Sequence, residues 1–93
     1  MKIVFLPSAA QDIAWFRYYY RSVFSAGDEN ARNNLKALQK LLASNPYMGS
    51  PVAIHDGVRE LRVNRTPFTL IYRVTEVRIE ILRLWDERQG IEY

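Results

Sequence analysis

The stretch Gly57-Val58-Arg59-Glu60-Leu61-Arg62-Val63-Asn64-Arg65-Thr66-Pro67-Phe68-Thr69-Leu70-Ile71-Tyr72-Arg73-Val74, followed by Ile79-Glu80-Ile81-Leu82-Arg83-Leu84-Trp85, decides the fold. Side chains alternate across a strand with period two. Leu61 and Val63 therefore point one way, and Glu60, Arg62 and Asn64 the other. Phe68, Leu70, Tyr72 and Val74 share a face opposite Thr69 and Arg73. The pattern predicts strands over 58–64, 68–75 and 77–84, joined at Thr66-Pro67 and Thr75-Glu76 as antiparallel hairpins. Ile79, Ile81, Leu82 and Leu84 make the last strand apolar on both sides near its end, as expected of a central strand. Such a sheet offers one face to a core and leaves one free to bind an anionic group.

Upstream, residues 2–6 form a short strand stopped by Pro7. Ser8 with Gln11 three residues on has the spacing of a capping box. A helix is expected over 9–25, with Ile13, Phe16, Tyr20, Val23 and Phe24 on one stripe and Gly27 as its C-terminal stop. Asp28 is placed to cap a second helix, with Glu29 in its first turn. Ala31, Leu35, Leu38, Leu41 and Leu42 form its apolar stripe, and Asn45-Pro46 ends it. The short link predicts an antiparallel helical hairpin. A loop over 45–57 leads into the strands, and residues 86–93 form a tail. The order is β-α-α-β-β-β: an α+β fold with a helical hairpin packed on one face of an antiparallel sheet, in a single domain over 1–93.

Composition narrows the function classes. Hydrophobic residues make up 48% of the 93, ordinary for a globular chain. No run is long enough to span a bilayer, and the apolar start is too short for a signal peptide. With no cysteine, disulfides and thiolate metal sites are excluded, which is compatible with the cytoplasm. The net charge is +3, and seven of the ten arginines lie from Arg59 onward. Arginine suits bidentate contact with carboxylate or phosphate. Glu60, Glu76, Glu80, Asp86, Glu87 and Glu92 share that region, so the arginines either pair internally or form a binding surface; the sequence leaves both open.

His55 is the only histidine and sits in the loop beside Asp56-Gly57. There is no nucleophilic triad, zinc set or glycine-rich phosphate loop. Trp15, Tyr18 and Tyr19 cannot all share the buried stripe with Tyr20. They either cover the rim of the core or form a partner interface.

The ordered set of strand motifs above resembles the C-terminal half of RelE/ParE toxins of bacterial type II toxin–antitoxin systems. Ser8-Ala9-Ala10-Gln11-Asp12-Ile13 resembles their opening, and Asn45-Pro46-Tyr47-Met48-Gly49-Ser50-Pro51 their Pro…Gly…Pro link. The resemblance implies a small cytoplasmic toxin without cofactor or metal, neutralised by a cognate antitoxin, for which Trp15, Tyr18 and Tyr19 are the candidate contacts. RelE-like members cleave mRNA on the ribosome by stabilising charge at the scissile phosphate; ParE-like members inhibit DNA gyrase. The nuclease pattern is poorly kept. Arg62 matches one basic position and Tyr93 is placed for the tail tyrosine. Glu60, Thr69 and Asp86 or Glu87 stand where basic groups or histidine are expected, and acids there repel phosphate. The resemblance therefore favours the ParE-like branch, with Arg62, Arg65 and Arg88 as target-binding candidates; mRNA cleavage through Arg62 and Tyr93 is the alternative.

Overall fold

A computed structural model describes residues 1–89. The elements are β1 (Lys2–Phe5), α1 (Ala10–Tyr18), α2 (Asp28–Ser44), β2 (Ser50–Pro51), β3 (Val58–Arg62), β4 (Phe68–Val74) and β5 (Arg78–Asp86). Five strands form one sheet in the order β1-β5-β4-β3-β2. The meander β3-β4-β5 is antiparallel, with Leu61 opposite Leu70 and Leu70 opposite Leu84. β1 adds to β5 in parallel, Ile3 opposite Ile79 and Phe5 opposite Ile81, so the sheet is mixed where a wholly antiparallel one was expected. The parallel edge follows from the connection: β1 returns to the sheet only through the whole helical hairpin and meander.

The central strand is β4; β5, expected to be central, is an interior strand between β1 and β4, and its two-sided apolarity has a second cause. Ile71 faces Arg83 but Tyr72 faces Ile81, so Leu82 is an extra residue in a bulge. The bulge shifts the phase of the alternation, and Ile79, Ile81 and Leu84 all reach the same core. Phe68, Leu70 and Tyr72 join them, with Phe16 and Tyr20 from the first helix and Ala31 and Leu42 from the second. Phe16 meets Phe68 edge-on at 4.9 Å between ring centroids, a favoured aromatic arrangement.

The helices depart from their expected outlines. Pro7–Ala9 is a tight single turn, α1 follows, and Tyr19–Val23 widens into a π-helical turn. The widened turn swings Val23 and Phe24 out of the expected stripe, and both are about half exposed. Ser8 does not cap; its hydroxyl donates to the Leu82 carbonyl at 2.7 Å. Gly27 is not a left-handed stop, since its φ is −96°. It lies against Phe24, whose ring would be 2.6 Å from an added Cβ. Asp28 makes no capping bond and instead pairs with Arg32 at 3.3 Å. In α2, Ala31 and Leu42 are buried and Leu35 and Leu38 half-buried, while Leu41 is exposed.

The loop after α2 is pinned by one phenol. Tyr72 Oη donates to the Pro46 carbonyl and accepts from the Gly49 N–H, both at 2.9 Å. Gly49 has no room for a side chain: an added Cβ would lie 2.6 Å from Tyr72 Oη and 2.7 Å from the Glu60 carbonyl.

Candidate functional site

The face of the sheet away from the helices carries Glu60 and Arg62 from β3, Thr69, Ile71 and Arg73 from β4, and Arg78, Glu80, Arg83 and Trp85 from β5. The arginines lie over it. Arg73 and Arg78 both grip Glu80, at 2.7 and 2.6 Å. Their hydrogen bonds, Arg73 first, hold its carboxyl below the ordinary value. Arg83 stacks on Trp85 at 4.9 Å, and Ile71 and Trp85 beneath are 3% and 5% exposed. Arg73 and Arg78 on this face are therefore paired with its own carboxylate.

Arg83 reaches round the edge of β5 to Asp12 on α1. Asp12 accepts Arg83 Nε at 2.6 Å and Nη2 at 3.0 Å, and also the Leu84 N–H at 3.0 Å. That bond raises the Arg83 pKa above its ordinary value. β1 stops opposite Ile81, which leaves the outer edge of β5 unpaired beyond it. The segment entering α1 fills this gap: the Leu6 N–H goes to the Ile81 carbonyl, Ser8 Oγ to Leu82, and Asp12 to Leu84. Ser8 and Asp12 thus do the work of a missing strand. Neither residue's part was drawn from the sequence, although their spacing after the proline was the available signal.

A second tie joins α1 to the end of β5. Trp15 Nε1 donates to Asp86 at 2.9 Å. Arg88 binds the same carboxylate through Nε and Nη2, at 2.9 and 2.8 Å, and its N–H joins at 3.0 Å. Arg88 also lies on the Tyr19 ring at 4.2 Å and donates to its hydroxyl at 2.7 Å. Burial alone would raise the Asp86 pKa, but the bonds from Arg88 and Trp15 outweigh it and the net shift is downward. The Arg88 pKa is raised, chiefly by the bond to Asp86.

These positions sort the candidates. Trp15 and Tyr18 are 38% and 55% exposed and stack at 5.8 Å, while Tyr19 is engaged by Arg88. Arg62 ends β3 and donates Nε to the Thr66 carbonyl at 2.9 Å. Arg65 lies in the β3–β4 turn with φ 62°. Tyr93 lies outside the described residues. Thr69 donates to Glu87 at 2.6 Å, so a carboxylate occupies the end of the face beside Arg62. His55 is exposed in its loop.

The fold is α+β, two helices over a five-stranded mixed sheet, as the resemblance implies. Residues 3–91 match the family model described as the ParE toxin of type II toxin–antitoxin system, parDE, and the chain belongs to that family. A solved chain of the chromosomal ParDE TA system from P. aeruginosa is 29% identical. It superposes with a TM-score of 0.68, covering 90% of this chain and 92% of that one. Among curated proteins, no match was found. No helix among the described residues is long and apolar enough to cross a membrane.

Proposed function

We propose that this toxin acts in the cytoplasm by binding and inhibiting DNA gyrase, and that a cognate antitoxin neutralises it. Membership of the ParE family supports the reading. The observation that carries it against a nuclease is the Thr69–Glu87 hydrogen bond of 2.6 Å. It sets an acid on the face where a scissile phosphate has to be gripped, and like charge there costs binding rather than stabilising a transition state. The action is surface contact, with Arg62, Arg65 and Arg88 as candidates. The exposed Trp15–Tyr18 stack, beside Tyr19, is the candidate antitoxin contact, since aromatic side chains supply much of the energy of protein interfaces.

Purified protein added to gyrase and relaxed plasmid is expected to block supercoiling, while mRNA on translating ribosomes stays intact. Codon-specific cleavage in the A site, lost in Arg62→Ala or Tyr93→Phe, would overturn the reading. Co-expression with the neighbouring antitoxin is expected to yield a stable complex that Trp15→Ala and Tyr18→Ala weaken together.

A further inference from the structure

Of the seven arginines from Arg59 onward, four are held by carboxylates: Arg73 and Arg78 by Glu80, Arg83 by Asp12 and Arg88 by Asp86. Arg59 donates to the carbonyls of Tyr47 and Gly49. Arg59, Arg62 and Arg65 have no carboxylate partner among the described residues, but Arg59 also lies on the Tyr47 ring at 5.2 Å. Arg62 uses Nε on the Thr66 carbonyl, which holds the stem and leaves its two terminal nitrogens unbonded among those residues.

The turn that bears them is built to hold its shape. The Thr66 N–H closes it on the Val63 carbonyl at 3.1 Å. Thr66 Oγ1, 6% exposed as a residue, donates to the same carbonyl at 2.8 Å and accepts the Phe68 N–H at 3.0 Å. Asn34 of α2 donates to the Asn64 carbonyl at 2.9 Å, and the Glu87 N–H to the Pro67 carbonyl at 2.8 Å. At the tip, Arg65 has φ 62°, the only positive φ of a non-glycine residue among those described. Glycine suits that conformation better, so the arginine side chain is held there against a local preference. Such outliers cluster at ligand-contacting sites.

We propose that this β3–β4 tip is a preorganised cationic contact, in which Arg62 and Arg65 grip carboxylates on a protein surface. The assignment deepens the gyrase reading and rests on it for the identity of the target. Protein carboxylate is favoured over nucleic-acid phosphate by what lies alongside. Thr69, directly across from Arg62, carries the Glu87 carboxylate, and Glu60 shares the face. A phosphodiester chain crossing the sheet from the tip meets these acids; a carboxylate that engages only the tip does not. Fixed donors lose little freedom on binding, which favours affinity.

Two variants test the tip. Arg65→Gly removes the guanidinium while easing the backbone, and Arg62→Gln keeps a donor near Thr66. Both are expected to keep the wild-type melting temperature. Binding of a fluorescent oligoglutamate peptide, followed by anisotropy, is expected to weaken about tenfold in each, the loss of one good charged contact. Arg65→Lys retains most of it, and single-stranded DNA of equal charge binds the wild type more weakly than the peptide. Unchanged peptide affinity in the double variant, or tighter binding to DNA, overturns the proposal. Supercoiling assays with the same proteins separate the two readings. Inhibition by wild type that survives in the double variant overturns the tip alone. Absence of inhibition by wild type overturns gyrase as target, and the peptide measurement still decides the tip.

Discussion

Replacing Asp12 by alanine removes one carboxylate that serves two elements at once. Its oxygens hold Arg83 through two bonds, at 2.6 and 3.0 Å, and the Leu84 N–H at 3.0 Å. The Asp12 side chain is 12% exposed and that of Arg83 33%. Breaking a fully buried pair from one side costs roughly 3–5 kcal/mol. Partial exposure lets water take up some of the Arg83 charge, while the Leu84 N–H, on the sheet edge next to α1, loses its acceptor at about 1–3 kcal/mol. Together these put Asp12→Ala at about 2–4 kcal/mol. For a domain of this size each kcal/mol moves Tm by roughly 4–8 °C, so the variant is expected to melt at least about 8 °C lower. Asp12→Asn keeps an acceptor for Leu84 and is expected to lose about half as much. Urea unfolding of the wild type, Asp12→Ala, Arg83→Met and the double variant gives the coupling, expected at about 1–3 kcal/mol. A coupling near zero, or an Asp12→Ala variant as stable as wild type, would refute the claim that this side chain completes the sheet edge.

Tyr72→Phe leaves the Gly49 N–H and the Pro46 carbonyl without their shared hydroxyl, and is expected to cost about 1–3 kcal/mol in chemical denaturation. Leu42→Ala, at a fully buried position, should lose about 2–5 kcal/mol, whereas Leu41→Ala, 53% exposed, should stay within about 0.5 kcal/mol; equal losses would show that the helix faces the other way. Asp86 and Glu80 both have depressed carboxyl pKa values. Their contribution is therefore present above the unfolded carboxylate value of about 4 and is lost as pH falls through the lower folded values. Acid titration of Tm should show a steep fall below about pH 4, shallower in Asp86→Asn; an unchanged slope would show that the Asp86 network adds no acid sensitivity.

The meander was legible because its alternation is carried by large side chains: Phe68, Leu70 and Tyr72 share the face that meets the helices. That β5 lies inside the sheet was legible too, though β4 is the central strand, and the reason was hidden, since a bulge at Leu82 imitates two-sided burial. The first helix was outlined too evenly. Ile13, Phe16 and Tyr20 fit a uniform period, and nothing in Tyr19 to Val23 announces that the turn widens and exposes Phe24. The family was legible from the order of the motifs. The standing of each arginine was not, because pairing depends on which carboxylate the fold brings near. Asp12 and Arg83 are far apart in sequence, and Arg88 is bonded to an aspartate and a tyrosine from different elements. Arg62, at the end of β3, and Arg65, in the turn that follows, have no such carboxylate among the described residues.

The parallel pairing of β1 with β5 also governs when the molecule can exist during synthesis. Lys2 to Phe5 wait for Arg78 to Ile81, so the first strand made finds its partner only when the last has left the ribosome. Antiparallel hairpins can close on their neighbours as they emerge; this edge cannot. At ordinary elongation rates of about 5–20 residues per second the nascent chain spends several seconds without its completed sheet. A chain stopped before β5 lacks that interior strand and Arg83, Leu84 and Asp86, to which the first helix is tied. The ribosome can therefore release no shorter piece that carries the finished surface.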